Sequence, residues 1–525
     1  MMDRYNFAAA VEEYATSHGD QIAVYMHTPS GDASITYTEL TKEAAKVHTA
    51  LAKQGLQAGD RILVLLTRGL YSYQVYLGLN RMGAVTLPAS EMLRAGDIGY
   101  RVRHAQVKAV ITAPYIADEV AVALQDSPEV QRYIVDGDHE GFVNLLSLMK
   151  TLDEASLLPP ADTDASDMAY ISYTSGTTGG PKGVVHVHGW PRAHVANAAT
   201  YWFDVKQGEW AWATAGPGWA KWVWSPFTSI LGKGGTAFVY TGRFEPEAFL
   251  EILEQYPIGL FCSTPTEYRL MAKSPKIESW QPKSLRSAVS AGEPLNREVI
   301  DTFYRRCQVM VRDGYGQTEN SLLVSTQVGM DVKKGSMGKP SPHHQVAIID
   351  EDGKPLPVGS IGDIAVHRST PTLFREYLYD EERTAKAFRG EYYVTGDLGR
   401  FDEDGYIWFE GRADDIIISA GYTIGPFEVE DALVRHPSVA ECAAVASPDT
   451  ERGHIVKAFV VLKPNIKETT ELVEELQNHV KTTTAPYKYP REIEFVSQLP
   501  KTTSGKIRRV ELRAMERQRK AFPAK

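Results

Sequence analysis

The sequence predicts an α/β protein: a large N-terminal region of parallel-type αβ sheets plus a small β-barrel, followed by a small α+β domain. Three observations support this fold class. Helix and strand patterns alternate over residues 1–165 and resume from 235, short strands with turn signals fill 335–410, and a new αβ pattern follows a charged segment at 411–415. Alternating strands and helices favour parallel sheets covered by helices. A chain of 525 residues is also too long for one ordinary core.

The overall composition excludes several classes of protein. Hydrophobic residues make up 43% of the chain and charged residues 23%, as in globular proteins. A net charge of −10 argues against nucleic-acid binding through bulk electrostatics. Asp3 and Arg4 argue against a signal peptide, and the apolar window 61–66 is too short to span a bilayer. The cysteines lack metal spacing: Cys262, Cys307 and Cys442. We therefore expect a cytoplasmic protein with buried thiols and no integral membrane segment.

The first 165 residues read as a series of βαβ units. Apolar residues at helical spacing predict a helix from Thr38 to Gln54, which Thr36 or Thr38 could cap. The predicted elements that follow are strand 61–66, helix 70–82, and strands 83–88 and 108–112.

A Gly- and Thr-rich stretch at 174–183 lies between two strand-like runs, 168–173 and 184–188. Its glycines allow a sharp turn, and its hydroxyls and Lys182 can surround phosphate oxygens. A Walker A loop is excluded because Pro181 precedes the lysine and a strand pattern follows it. The stretch therefore predicts a hairpin that closes over a polyphosphate, with an ordinary surface loop as the alternative.

Three later strands each end in a polar turn that contains Gly or Pro. Strand 259–263 leads into 264–269, strand 285–290 into 291–295, and strand 309–312 into 313–319. Because ligands bind where strand ends meet in open α/β sheets, we expect these three turns to share one site with the hairpin.

Seven of the nine tryptophans fall between 190 and 235, and core packing explains most of them. Trp219 differs because it lies among glycines and a proline on irregular backbone, where it could form an aromatic wall for a ligand. Within 335–410, Asp397 follows a Thr-Gly pair and could accept from a ribose diol, although an Asx turn is the commoner use of such a residue.

The last hundred residues predict a compact α+β domain. Its elements are helix 428–436, strands 439–447 and 455–462, helix 470–480 and strand 493–496. From composition alone, the Lys-rich segment near the end is solvated surface.

Taken in order, these motifs resemble the AMP-forming acyl-CoA synthetases of the adenylate-forming superfamily, nearest to the medium-chain subgroup. The resemblance covers nearly the whole chain and rests on 174–183, 291–294, 313–319, 395–397, 411–415, 421–422 and 504–506. It implies two parallel-type sheets and a barrel in an N-terminal domain, 1–411, and a mobile C-terminal domain, 412–525. The reaction it implies has two steps: a carboxylate attacks ATP to give an acyl-adenylate and pyrophosphate, and the thiol of CoA then releases AMP.

The resemblance also implies roles for individual residues. The β- and γ-phosphates would be held by Thr174, Ser175, Gly176, Thr177, Thr178, Gly179 and Lys182. The adenine would be framed by Gly292, Glu293, Pro294, Asp313, Gly314, Tyr315, Gly316 and Gln317. Thr318 would bond the α-phosphate, Glu319 would hold Mg²⁺, and Asp397 and Arg412 would bind the ribose. The acyl group would lie against Trp219, Ala220 and Gly316.

The C-terminal domain supplies the remaining implied roles. Lys506 would stabilise charge at the α-phosphate and the attacking carboxylate, as a cation rather than a base. The domain would then rotate about Asp414. Four residues would then contact CoA: Gly421, Tyr422, Arg452 and Lys481.

Two departures leave alternatives open. Ile418 and Thr423 stand where related sequences often have a lysine and an arginine, which puts the CoA step in doubt. An adenylating enzyme that serves a carrier protein or another thiol is therefore the first alternative, and a non-catalytic acyl-nucleotide sensor is the second. The sequence names neither the small-molecule acid nor the oligomeric state, and a homodimer stays open.

Overall fold

The computed structural model describes residues 3–174, 181–293, 295, 297–412, 415–419, 422–449, 452–501 and 507–521. Its helices span Phe7–His18, Tyr37–Lys53, Leu70–Met82, Ala95–His104, Ala117–Ala123, Leu145–Lys150, Trp190–His194, Ala220–Trp222, Pro246–Gln255, Pro265–Lys273, Arg297–Cys307, Glu381–Lys386, Pro426–Val434, Thr470–Thr483 and Arg509–Ala521.

The first sheet carries the three predicted strand-end turns. Its strands, in spatial order, are Lys339–Pro340, Val324–Ser325, Val311–Tyr315, Ser287–Ala291, Ile258–Ser263, Trp210–Ala213, Thr236–Tyr240, Ile22–Thr28 and Gly31–Thr36. The pairs from Val311–Tyr315 to Ile22–Thr28 are parallel, and antiparallel strands close both edges.

The second sheet carries the glycine-rich hairpin. Its order is Glu376–Tyr377, Lys182–Val187, Met168–Thr174, Val85–Pro88, Arg61–Leu65, Ala109–Thr112, Gln131–Ile134 and Val143–Asn144. The hairpin strands pair antiparallel, as predicted, and the inner strands pair in parallel. The two predicted parallel-type sheets are confirmed.

A third, antiparallel sheet covers the region predicted as a small barrel. It contains Val346–Ile349, Gly362–His367, Tyr392–Phe401, Phe388–Arg389 and Ile407–Arg412. Beyond it, a hairpin of Ile417–Ser419 and Tyr422–Ile424 precedes a sheet of Val439–Asp449, Gly453–Leu462 and Glu492–Phe495.

Local sequence signals explain where the elements begin and end. Thr36 forms a capping box with Glu39, so the second helix begins at Tyr37. Gly83 ends the next helix in the left-handed conformation, with φ of 71°. For that reason the following strand begins at Val85, two residues later than predicted.

The core interpretation of the tryptophans also holds for most of them. The indoles of Trp190, Trp202, Trp212 and Trp222 are buried, whereas Trp219 is 42% exposed. The helix 37–53 packs beside the helix 70–82, and both contribute to one large apolar core.

Candidate active site

The three strand-end turns converge, as the sequence predicts. Their strands are neighbours in the first sheet and run parallel, so the turns emerge at one edge. Side chains join two of the turns: Glu293 Oε2 accepts from Thr266 Oγ1 at 3.0 Å and from Arg269 Nη2 at 3.1 Å.

The glycine-rich hairpin is anchored where Thr174 lies opposite Lys182. Its tip lies outside the described residues, and with it the predicted phosphate contacts of Ser175, Gly176, Thr177, Thr178 and Gly179. These contacts stay predictions, whereas the position of Lys182 can be read directly.

Lys182 reaches the turn 313–319 of the first sheet. Its Nζ donates to Glu319 Oε1 at 2.7 Å and to the hydroxyl of Tyr377 at 2.9 Å. The Tyr377 hydroxyl donates in turn to Glu319 Oε1 at 2.8 Å. Glu319 is 5% exposed. A lysine of one sheet and a carboxylate of the other therefore meet at one end of the site.

Sequence reasoning missed Tyr377. It lies 58 residues from Glu319 and 195 from Lys182, and it belongs to none of the motifs. Only its pairing with the hairpin strand, opposite Val184, brings it here. No local sequence signal could have identified it.

Asp397 organises the other end of the site. It is buried, and its Oδ2 accepts from the Tyr315 hydroxyl at 2.6 Å and from Gln317 Nε2 at 2.9 Å. Arg412, opposite it on the paired strand, brings Nε within 3.7 Å of Oδ1. The two motifs that the resemblance assigns to the ribose are thus joined to the turn 313–319.

The backbone of the turn 313–319 passes very close to the backbone of Ser321. A Cβ on Gly316 would lie 1.4 Å from the Ser321 carbonyl oxygen, so only glycine fits there. The carbonyl of Thr318 is bonded to His186 Nε2 at 2.7 Å, a contact that the sequence did not indicate. Burial raises the pKa of Asp313 to about 7.

The turn 291–295, which is predicted to frame the adenine, also has a restricted backbone. Gly292 has a φ of 112°, a conformation that L side chains rarely adopt. Pro294 lies outside the described residues.

Trp219 lies beside this edge of the sheet. It immediately precedes the short helix Ala220–Trp222, and Lys221, two residues after Trp219, donates to the carbonyl of Ala291 at 2.8 Å. That bond fastens the Trp219 turn to the strand end before Gly292. Lys221 is, after Tyr377 and His186, a third residue whose contact sequence reasoning did not find.

The predicted CoA residues lie on the C-terminal unit. Tyr422 is 52% exposed and stacks on Tyr487 with ring centroids 4.4 Å apart. Lys481 Nζ lies 4.1 Å from the ring centroid of Tyr489, and Arg452 donates its backbone N–H to Asp449. Ile418, one of the two departures, is 59% exposed. Gly421, the predicted hinge residue Asp414 and the side chain of Thr423 lie outside the described part of the structure.

Lys506 also lies outside the described residues, but Arg509, three positions later, is described. Arg509 donates to both oxygens of Glu430, at 3.0 and 2.6 Å. Burial alone lowers the pKa of Arg509, but Glu430 and, to a smaller degree, Glu293 raise it above its usual value. The ion pair holds the start of the last helix to the helix Pro426–Val434.

Comparisons with known proteins agree with this arrangement. A model of the AMP-binding enzyme family matches residues 11–378, and a model of the AMP-binding enzyme C-terminal domain matches 428–506. The chain is 53% identical over 522 residues to an uncharacterized acyl-CoA ligase, YtcI, of Bacillus subtilis, which covers 99% of this chain and 97% of that protein. It is 42% identical over 469 residues to mitochondrial acyl-coenzyme A synthetase ACSM3 of Mus musculus, covering 88% and 80%.

A solved structure extends the agreement to the fold. The anthranilate CoA ligase AuaEII in complex with anthranoyl-AMP superimposes with a TM-score of 0.90 at 27% identity, and the match covers 99% of each chain. Among the helices that the structure describes, none is both long and apolar enough to cross a membrane.

Proposed function

The chain belongs to the AMP-binding enzyme family, as an adenylate-forming acyl-CoA synthetase of the medium-chain subgroup, and on that premise we propose that it activates a medium-chain fatty or aromatic acid. The enzyme converts its acid to an acyl-adenylate with ATP, releases pyrophosphate, and transfers the acyl group to CoA. The identity of the acid and the roles of the individual residues are the proposal.

The observation that carries the residue roles is that the turn 313–319 connects two charged pairs. Lys182 and Glu319 form the first, and Asp397 and Arg412 the second. Adenylation brings a carboxylate anion to a polyanion, so its transition state needs fixed positive charge and aligned oxygens. Because Glu319 bonds Lys182 and Gln317 bonds Asp397, one turn links the two pairs, and we assign the phosphates to the Lys182 end and the ribose to the Asp397 end.

The side chain of Glu319 is chemically suited to bind Mg²⁺. Both hydrogen bonds that the described residues give this carboxylate fall on Oε1. No group of three or more His, Cys, Asp or Glu side chains in the described ranges could hold a metal alone. Mg²⁺ commonly binds through one or two carboxylates and takes its other ligands from water and substrate phosphates. When bound, it would neutralise phosphate charge, and Glu319 would orient it.

The acyl group is assigned to the Trp219 turn. Its indole is 42% exposed beside the fastened strand end at Ala291, and Ala220 leaves room next to it. A half-exposed indole suits a flat ring or a linear chain. The structural neighbour AuaEII is named for anthranilate, an aromatic acid, and this supports including aromatic acids.

The domain roles are proposed on the same basis. A boundary at 411/412 falls between the two family models, which leave 379–427 unmatched. We assign the hinge to Asp414, the adenylation cation to Lys506, and the CoA contacts to Gly421, Tyr422, Arg452 and Lys481. The cytoplasmic location stays a prediction.

One assay tests the activity. Pyrophosphate release and thioester yield are measured with linear acids of increasing length and with aromatic acids, with and without CoA. Medium-chain or aromatic acids should give the highest kcat/KM, and thioester yield should match pyrophosphate release. Pyrophosphate without acyl-CoA would instead favour a carrier-protein acceptor, which the departures at Ile418 and Thr423 keep open. Lys506→Ala should abolish adenylation and keep the fold, and persistent pyrophosphate release would overturn the role of Lys506.

A further inference from the structure

Tyr377 occupies the junction between the lysine of the hairpin and the carboxylate of the strand-end turn. It is 4% exposed, its hydroxyl touches both charged groups, and Lys182 Nζ lies 4.3 Å from its ring centroid. We propose that Tyr377 is the positioning residue that holds Glu319 in its metal-binding orientation when Lys182 moves to the phosphates of the nucleotide. The inference rests on the proposed role of Glu319.

The hydrogen bonds that Glu319 accepts indicate what Tyr377 has to do. Lys182 and Tyr377 both donate to Oε1 of Glu319. A phosphate ligand competes for Lys182, and a carboxylate that is 5% exposed would then lose its cationic partner. Mg²⁺ would replace that cation, and a carboxylate that ligates a metal is oriented by a hydrogen bond of its own, so a second donor has to remain. The Tyr377 hydroxyl supplies that donor on Oε1 and leaves Oε2 directed elsewhere.

The backbone fixes Tyr377 for this role. Its strand pairs with the hairpin strand, Leu378 N donates to the Gly183 carbonyl at 2.8 Å, and Phe374 N donates to the Glu319 carbonyl at 2.6 Å. The same short segment therefore grips the root of the hairpin and the backbone of Glu319. The ring packs on Phe374 with centroids 4.7 Å apart. The hydroxyl is thus held independently of where Lys182 points.

Tyr393 offers a matched control. It is equally buried, at 3%, and packs on the same Phe374 at 5.3 Å. Its hydroxyl, however, bonds Gln317 Oε1 at 3.1 Å, and Gln317 bonds Asp397. Tyr377→Phe and Tyr393→Phe each remove one buried hydroxyl: the first bonds Glu319 and Lys182, whereas the second bonds Gln317 and reaches Glu319 only by way of the Tyr377 hydroxyl beside it.

The test measures binding of a non-hydrolysable ATP analogue by calorimetry, with and without Mg²⁺ and without any acid. Tyr377→Phe should weaken binding about 10- to 100-fold with Mg²⁺, the loss of a hydrogen bond to a charged group, and leave Mg²⁺-free binding unchanged. Tyr393→Phe should weaken both to the same degree. In the adenylation half-reaction, Tyr377→Phe should raise the Mg²⁺ concentration needed for half-maximal pyrophosphate release.

The outcomes separate this inference from the proposed function. Wild-type Mg²⁺ dependence in Tyr377→Phe, or equal losses with and without Mg²⁺, would overturn it. A wild type whose nucleotide binding ignores Mg²⁺ would overturn it as well, because Glu319 would then hold no metal. Failure of the wild type to release pyrophosphate with any acid counts against the proposed function alone, since the binding comparison needs no acid. Both variants keep their rings, and an equal melting midpoint to the wild type checks the fold.

Discussion

Two lysines of this chain pair with carboxylates, one at the candidate active site and one in a buried structural cluster. Lys182, at the active site, pairs with Glu319 and Tyr377, and its side chain is 22% exposed. Lys457, in the C-terminal sheet, is 9% exposed and contacts three carboxylates: Glu516 at 2.7 Å, Glu494 at 2.8 Å and Glu492 at 3.8 Å.

The two clusters differ in how many of their carboxylate oxygens are bonded by other side chains. In the C-terminal cluster, Ser447 bonds the other oxygen of Glu516, which is fully buried, and Arg519 and Lys520 pair with Glu494 and Glu492. At the active site the described donors crowd one oxygen of Glu319. A cluster whose charges are all matched within the chain stabilises structure, whereas one that leaves a carboxylate oxygen for another partner suits a ligand. The following predictions test that contrast.

The largest effect is expected in the C-terminal cluster. Lys457→Met should lower the free energy of unfolding by about 3–5 kcal/mol, because it leaves buried carboxylates without their shared cation. Denaturant unfolding followed by circular dichroism measures it. Lys520→Met removes a half-exposed cation from the same cluster and should cost about 1 kcal/mol or less. Equal costs for the two variants would show that the cluster is not a buried structural unit.

The next effect is catalytic. Glu319→Gln should reduce the rate of pyrophosphate release about 10²–10³-fold, because an amide cannot replace the carboxylate that we assign to the Mg²⁺ of the nucleotide. Its unfolding midpoint should move less than that of Lys457→Met. Glu376→Gln, one residue from Tyr377 and paired with Arg375 near the surface, is the matched control and should retain activity. A stability loss in Glu319→Gln as large as that of Lys457→Met would erase the distinction between the two clusters.

The ribose end should show a smaller loss. Asp397→Asn removes the charge that accepts from Tyr315 and Gln317 and faces Arg412, so the KM for ATP should rise about tenfold or more. Steady-state kinetics with varied ATP at saturating Mg²⁺ measures it. The Mg²⁺ dependence should stay that of the wild type, and a shift in it would place Asp397 at the metal end instead.

The smallest effect is expected at two partly exposed residues that we assign to the CoA site. Arg452→Ala or Lys481→Ala should raise the KM for CoA about two- to fivefold, the range of an exposed ionic contact, and leave pyrophosphate release without CoA unchanged. Thioester formation with varied CoA gives the comparison. Unchanged CoA kinetics in both variants would remove these residues from the CoA site.

The sequence by itself determined the class of fold and the composition of the site. The spacing of apolar residues and the positions of turn residues predicted the order of strands and helices. The predicted start of one strand was two residues too early, because Gly83 caps the preceding helix there. The motifs gave Lys182, Glu319, Asp397 and Arg412, because glycine-rich turns and charged residues at strand ends are local features that the chain order preserves.

The tertiary structure alone decided which of these residues meet and what completes them. Tyr377, Tyr393, His186 and Lys221 reach the site through strand pairing and packing across long separations, which no local pattern encodes. It also decided that Lys457, an unremarkable lysine in a strand pattern, is the centre of a buried cluster. A side chain in a folded protein takes its electrostatic role from distance and burial, and both are set by residues far away along the chain.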